Sequence, residues 1–437
     1  MAQDTIFAPA TPPGRAGLAV LRISGPDALH AAEEIAQVIP GEPRKAYLTG
    51  FYDRSGALID RGILLWFKAP ASFTGEDVVE FQLHSGRAIM DAMLAACSLV
   101  AGLRAAERGE FTRRAVENGK LDLTQAEALA DLIDADTDAQ RGQALRQFDG
   151  ALRDLYERWR SRLIRSSALA EACLDFPDED IPEGTIQTVR SSMEQVSSEI
   201  RSHLADGRRG EIVREGVCLT VFGAPNAGKS SLLNALAKRD VAIVSERAGT
   251  TRDVIEVRIN LAGYPVVIAD TAGIRESGDD IEAEGVRRAL SRVHSADIAL
   301  LLLDATAPDP LAGIPPSIVA RADMTAWNKT DLAPPKGPGH TISAKTGTGV
   351  SELLESISGI CDKILNFQQN DAPLTRARHR DQLELALAAL NRAQSAVSSD
   401  LMGEDLRMAV RAIGQITGRV DIEEVLDVVF REFCIGK

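Results

Sequence analysis

The run Val217-Cys-Leu-Thr-Val-Phe222 leads directly into Gly223-Ala-Pro-Asn-Ala-Gly228-Lys229-Ser230, and Ser231-Leu-Leu-Asn-Ala-Leu-Ala237 follows with helical character. A β-prone strand, a glycine-rich turn and a helix in that order make a phosphate-binding loop. The glycines let successive backbone N–H groups face inward around the phosphates, and the helix N-terminus adds its positive dipole end. Lys229 can reach the β- and γ-phosphates, and the Ser230 hydroxyl can hold Mg²⁺. A chance Gly-Lys-Ser turn would not bring its own strand and helix.

Further nucleotide-site elements follow in order. Thr250 and Thr251, within Ala-Gly-Thr-Thr-Arg-Asp253, lie where a GTPase places the switch threonine that closes over γ-phosphate and Mg²⁺. Val266-Val-Ile-Ala269 reads as a buried strand ending in Asp270-Thr-Ala-Gly273, whose carboxylate acts on the ion. Asn328-Lys-Thr-Asp331 comes after the short strand Met324-Thr-Ala-Trp327. There an aspartate accepts from both guanine N1–H and the 2-amino group, a pair adenine does not offer, and a buried acceptor left unpaired is costly. Ser343-Ala-Lys345 completes the base pocket. Together these elements describe a GTPase domain.

The net charge of −14 argues against a whole-molecule electrostatic grip on nucleic acid, so any RNA contact must be a local patch. Five scattered cysteines without metal spacing suit a reducing compartment. The first residues lack a basic leader, and the strongest apolar run, Ile298 to Leu303, is too short to span a bilayer. A soluble, cytoplasmic protein is expected.

Residues 1–118 read as an α+β domain. Leu18–Ser24, Ala46–Tyr52, Leu58–Phe67 and Asp77–His84 are its strand candidates, with helices over Ala28–Val38 and Ala88–Leu103. Thr124-Gln-Ala-Glu127 looks like a capping box opening a helix with Leu129, Leu132 and Ile133 on one face. Helical periodicity recurs at Leu152, Leu155, Tyr156, Trp159, Leu163 and Ile164, and again at Ile186, Val189, Met193, Val196 and Ile200. The acidic loop Asp175-Phe-Pro-Asp-Glu-Asp-Ile-Pro182 reads as a solvated helix connection rather than a metal site. The P-loop domain spans 211–371 and ends with a Val350–Leu365 helix, after which helical texture returns. A tail of some 65 residues is small for its own core. Residues 119–210 and 372–437 are therefore expected to fold together as one discontinuous helical domain, with the GTPase inserted between its halves.

Two features of the chemistry stand open in the residues alone. Many GTPases place a glutamine directly after Asp-Thr-Ala-Gly to orient the attacking water, but this chain has Ile274. Glu282 and Glu284 are both candidates for that role. Arg252 can neutralise charge in cis or pair with Asp253, and the Asn226 side-chain carbonyl can serve a monovalent cation.

The whole chain resembles the bacterial tRNA-modification GTPase family MnmE, also called TrmE. The resemblance rests on Asp4-Thr-Ile-Phe-Ala-Pro-Ala-Thr-Pro-Pro-Gly14, Leu21-Arg-Ile-Ser-Gly25, Phe73-Thr-Gly-Glu-Asp77, Gly109-Glu-Phe-Thr-Arg-Arg114, Asn118-Gly-Lys-Leu-Asp-Leu123, the P-loop with Asn226, and the tail Phe433-Cys-Ile-Gly-Lys437. His84-Ser-Gly86 and Ala224 depart from the family pattern, and the segment 305–323 is short.

The resemblance implies a multidomain α/β fold: an N-terminal α+β dimerisation domain, a discontinuous helical domain and an inserted Ras-like P-loop GTPase domain. It implies K⁺-dependent pairing of the GTPase domains, with Asn226, Ser245, Thr250 and the backbone at Arg247 around K⁺, and Ser230 and Thr251 on Mg²⁺. The GTP-contacting set would comprise Asn226, Ala227, Gly228, Lys229, Ser230 and Ser231; Ser245, Glu246, Arg247, Ala248, Gly249, Thr250 and Thr251; Asp270, Thr271, Ala272 and Gly273; Asn328, Lys329 and Asp331; and Ser343, Ala344 and Lys345. Glu282 matches the family's water-positioning glutamate. Arg22, Glu80, Lys120 and Lys437 match positions that bind a reduced folate, 5-formyl- or methylene-tetrahydrofolate, and Cys434 matches a tail cysteine that can assist chemistry. The implied activity is GTP hydrolysis by a homodimer. With the FAD-dependent partner MnmG, in a heterotetramer, it would add a carboxymethylaminomethyl or aminomethyl group to C5 of the wobble uridine (position 34) of certain tRNAs. The alternative is a ribosome-assembly GTPase of the Era/Der type, which would carry an RNA-binding domain in place of this N-terminal domain and tail.

Overall fold

The computed structural model describes residues 4–175, 184–237, 256–270, 291–365, 372–396 and 398–420, with positions 426, 429, 430, 433 and 436. Their contacts divide the chain into two compact units. One takes residues 1–130, 148–164 and 407–437; the other takes 131–147 and 165–406.

Alternation governs the sheet of the first unit. Its strands are Thr5–Pro9 (β1), Ala19–Ser24 (β2), Tyr47–Tyr52 (β3), Leu58–Phe67 (β4), Val78–Leu83 (β5) and Leu103–Ala105 (β6), in the order β3-β4-β5-β2-β1-β6. Leu21, Ile23, Val79, Phe81 and Leu83 fall on one face and pack under the helices Ala28–Ala36 (α1) and Arg87–Ser98 (α2). The same period sends Arg22 and Glu80, directly opposite each other in the β2–β5 register, to the other face. The helix expected to reach Leu103 stops at Ser98. Gly102 takes φ +83°, which a continuing helix does not allow, and the freed Leu103–Ala105 pairs parallel with β1.

Glu110–Glu117 (α3) contributes Arg114 to a buried ion cluster. Its guanidinium meets Glu76 Oε1 at 3.2 Å, Glu110 Oε1 at 3.0 Å and the Asp4 carbonyl at 2.7 Å, while Arg104 also reaches Glu110 at 2.6 Å. Burial pushes the Glu110 carboxyl upward, but hydrogen bonds from Arg104, the Glu107 amide and Arg114 outweigh it and hold the pKa below the usual 4.5. A depressed acid pKa stabilises the fold above the unfolded value, and that stabilisation is lost as pH falls through the folded one. The urea midpoint should therefore fall between pH 5 and pH 3 (about the carboxylate range), and fall less steeply in Glu110→Gln; parallel slopes would contradict this.

The capping box lies two residues before its expected place. Asp122 caps Leu123–Ile133 (α4): its Oδ1 accepts from the amides of Thr124 at 2.8 Å and Gln125 at 3.0 Å. Gln125 Oε1 accepts the Asp122 amide in return at 3.1 Å. The box is thus Asp122-x-x-Gln125, because the aspartate satisfies two orphan donors while Thr124 itself bonds Asp122. The buried face of α4 is also different, formed by Leu123, Ala126 and Ala128, with Ile133 exposed. Small alanines permit a close approach, and Leu123 and Ala126 pack with Leu426, Val429, Phe430 and Phe433. Gly109 sits against the same tail, since a Cβ there would come 2.9 Å from the Phe430 carbonyl oxygen. Gly436 lies so close to Pro9 of β1 that a Cβ would come 1.9 Å from its carbonyl oxygen.

In the second unit, Asp138–Phe148 (α5) is followed by Ala151–Asp175 (α6), which begins in the first unit and contributes its residues from Arg165 onward here; then come Thr185–Leu204 (α7) and Arg209–Glu215 (α8). Within α6 the expected stripe is buried at Leu152, Tyr156, Trp159 and Leu163, whereas Ile164 is exposed. The second sheet holds Val217–Phe222 (β7), Glu256–Leu261 (β8), Tyr264–Asp270 (β9), Ile298–Asp304 (β10), Met324–Asn328 (β11) and His340–Thr341 (β12), in the order β12-β11-β10-β7-β9-β8. All its pairings are parallel except β8 with β9. Lys229–Ala237 (α9) and Val350–Leu365 (α10) cover it.

Ala377–Ser395 (α11), beyond the sheet in sequence, packs on α7, before it. Gly210 and Leu374 touch so closely that a Cβ on Gly210 would meet the Leu374 carbonyl oxygen at 2.1 Å. Arg380 on α11 clamps the entry, reaching Asp206 at 3.0 Å and Glu211 at 3.2 Å. Helices from before and after the nucleotide-binding sheet thus pack on each other, whereas residues 148–164 and 407–437 belong to the first unit. Ser399–Thr417 (α12) closes the helical order. Among the described residues, no helix is long and apolar enough to cross a membrane.

Candidate active site

Parallel strands bring their carboxyl ends to one edge, and ligands of open α/β sheets bind outside that edge. Register places Val221 of β7 opposite Asp270 of β9, and Asp304 of β10 opposite Asn328 of β11. The P-loop, Asp270, the 328–331 segment and the 343–345 loop therefore share one crevice.

Inside the P-loop, two glycines are fixed by space. A Cβ on Gly223 would meet the Leu302 carbonyl oxygen at 2.2 Å, and one on Gly228, at φ +96°, would meet Asn328 Nδ2 at 2.2 Å. Lys229 is buried, with Nζ 3.0 Å from the Gly223 carbonyl and 3.1 Å from that of Ala224. Its ammonium thus sits against the carbonyls of its own loop. Asn226 is exposed and takes φ +62°, a left-handed conformation asparagine tolerates.

Asn328 joins the base end to the phosphate end. Its Nδ2 donates to the Ala227 carbonyl at 2.8 Å, and its Oδ1 accepts the Ala344 amide at 3.0 Å. Ser343 is buried, and Asp331 and Lys345 are exposed at the crevice rim. Ser230 and Ser231 stand in the first turn of α9.

Several expected residues lie outside the described ones: Ser245, Glu246, Arg247, Ala248, Gly249, Thr250, Thr251, Thr271, Ala272, Gly273, Glu282, Cys434 and Lys437, along with Arg252 and Glu284. Among the described residues, no group of three or more His, Cys, Asp or Glu could hold a metal ion.

In the first unit, a cavity of about 430 Å³ opens on the sheet face opposite α1 and α2, lined by Arg22, Arg44, Phe67, Phe73, Glu80 and Lys120 among others. Arg22 pairs with Glu80 at 2.8 Å and stacks over Phe73 at 5.6 Å from the ring centre. Lys120 Nζ donates to the Pro70 carbonyl at 2.9 Å, and Arg44 donates to that of Ala71 at 2.6 Å. The structure thus gathers Arg22, Glu80 and Lys120, which lie far apart in sequence. It adds Arg44, Phe67 and Phe73, which sequence reasoning did not assign; only Phe73 stood in a family motif. Gly436 lies at Pro9, one residue from Ala8, the β1 partner of Arg22.

The comparisons with known proteins span both units. The family model for the GTP-binding protein TrmE N-terminus matches residues 5–120, and that for the MnmE helical domain matches residues 123–434. The chain is similar to the tRNA modification GTPase MnmE of Parvibaculum lavamentivorans, 52% identical over 442 residues covering 99% of this chain and 100% of that protein. It is 49% identical to MnmE of Rhodospirillum rubrum over 462 residues, covering 100% of both. Against MnmE of Paramagnetospirillum magneticum it is 48% identical over 442 residues, covering 99% of this chain and 100% of the relative.

Proposed function

This chain belongs to the MnmE family of tRNA modification GTPases, and from that premise we propose how its parts divide the work. It is a GTP hydrolase of tRNA modification. The finer reading is that it acts with the FAD-dependent MnmG, as a homodimer within a heterotetramer. The product is an aminomethyl or carboxymethylaminomethyl group on C5 of uridine 34 in certain tRNAs. The observation that supports this best is that similarity extends through the N-terminal and helical regions, where an assembly GTPase would carry an RNA-binding domain instead.

In the GTPase domain, Lys229 and the P-loop amides bind the phosphates, Ser230 and Thr251 hold Mg²⁺, and Asp331 reads the guanine edge. Thr271, Ala272 and Gly273 follow Asp270 beside the γ-phosphate, with Glu282 orienting the attacking water. Asn226, Ser245, Thr250 and the Arg247 backbone would hold K⁺, which supplies positive charge at the transition state. An exposed Asn226 in a left-handed turn, with its side chain free to turn toward the phosphates, suits that role.

The first-unit cavity suits a reduced folate. Its aromatic walls fit a flat heterocycle, Glu80 faces ring N–H donors, and the cations at 22, 44 and 120 face an anionic tail. A bound folate supplies the one-carbon unit. Lys437 and Cys434 are assigned to the same site, consistent with the neighbouring Gly436 against β1.

The cation assignment is tested by steady-state turnover. GTP hydrolysis should run markedly faster in KCl than in NaCl at equal ionic strength, about tenfold or more for one well-placed charge. Equal rates in the two salts would remove the role given to Asn226.

A further inference from the structure

Lys329 follows β11 with φ +63°, in the left-handed region that residues other than glycine rarely adopt. Its ammonium is engaged by a residue of the neighbouring strand. Nζ lies 2.6 Å from Asp304 Oδ2, at the end of the neighbouring strand β10, with both side chains largely shielded. Asp304 is itself held by Thr306, whose amide and hydroxyl donate to Oδ1 at 2.8 and 2.6 Å. Burial raises the Asp304 carboxyl, but the Lys329 and Thr306 bonds outweigh it and keep the group ionised.

Sheet order gives this pair a direction. β10 stands between β11 and β7, and β7 carries the P-loop. Adjacent strands lie about 4.8 Å apart, within the reach of a lysine stem. Tied to Asp304, the Lys329 stem runs from the loop after β11 to the end of β10, the strand beside the P-loop strand β7. An ammonium released from Asp304 would leave that stem to wander.

We propose that Asp304 is a positioning residue for guanine recognition, fixing Lys329 so that its stem flanks the base; this rests on the nucleotide-site reading above. Asp304 belongs to none of the nucleotide motifs in the sequence, and its contribution comes only through Lys329.

The test is a double-mutant cycle in the full-length chain, read by GDP affinity. Asp304→Ala should weaken GDP about tenfold and raise the KM for GTP far more than it lowers kcat. In a Lys329→Met background the same substitution should add almost nothing. Asp304→Asn, which keeps the shape and an acceptor oxygen, should lose about threefold and serves if the alanine variant does not fold. Equal loss in both backgrounds would overturn the proposal as a general structural effect, as would unchanged affinity in a folded variant. If the unaltered chain bound no GDP, the nucleotide reading itself would fail and take this assignment with it.

Discussion

Glu282→Ala is expected to lower GTP turnover by about 10²–10⁴-fold while leaving GTP affinity within a few fold. The position after Asp-Thr-Ala-Gly273 is Ile274, whose side chain offers no polar atom to an attacking water. That water must be oriented from elsewhere, and the function proposed above gives this role to Glu282. A residue acting only on the water contributes in the transition state and not to ground-state binding, so kcat should fall without a parallel loss of affinity. Single-turnover hydrolysis and equilibrium binding of a slowly hydrolysed GTP analogue separate the two. Binding lost in step with turnover would assign Glu282 a structural role instead.

Asp331→Asn should cost the site its preference for guanine, weakening GDP by about 10²-fold or more. A carboxylate accepts both N1–H and the 2-amino group, whereas an asparagine amide presents one acceptor and one donor, so its N–H meets the 2-amino group donor to donor. Xanthine carries an oxygen at that position and should gain what guanine loses. Parallel titrations with GDP and xanthosine diphosphate read the exchange directly. Retained guanine preference would place base recognition elsewhere, whereas loss of both nucleotides would indicate a damaged loop. Asn328 should not behave this way. Its two amide bonds, to the Ala227 carbonyl and the Ala344 amide, hold the crevice together, so changing it would affect phosphate and base binding alike.

Much of the nucleotide site is local in sequence and was therefore legible there. The β7 strand, the P-loop, β11 and the Val350–Leu365 helix stand where the motifs and periodicity put them, because each is fixed by consecutive residues. What was missed depends on partners far away in the chain. β6 exists only because β1 offers an edge to Leu103–Ala105. The cap of α4 falls at Asp122 rather than Thr124 because the aspartate reaches two amides, which only the geometry of the turn decides. The buried face of α4 went to alanines because a close-packed tail rewards small residues over Leu132 and Ile133. Asp304 carried no signal, since it is the last residue of an apolar strand and acquires a role only when β11 lies alongside. Arg44 and Phe67 likewise meet Arg22 and Glu80 only through the sheet.

Guanine-nucleotide turnover in this chain is proposed to serve the modification of a wobble uridine. The most direct measurement is nucleoside analysis of bulk tRNA from cells lacking the protein, complemented with the unaltered chain or with Lys229→Ala. C5-aminomethyl-type uridines should disappear in the deletion, return with the unaltered chain and stay absent with Lys229→Ala. A nucleoside profile identical in all three strains would contradict it.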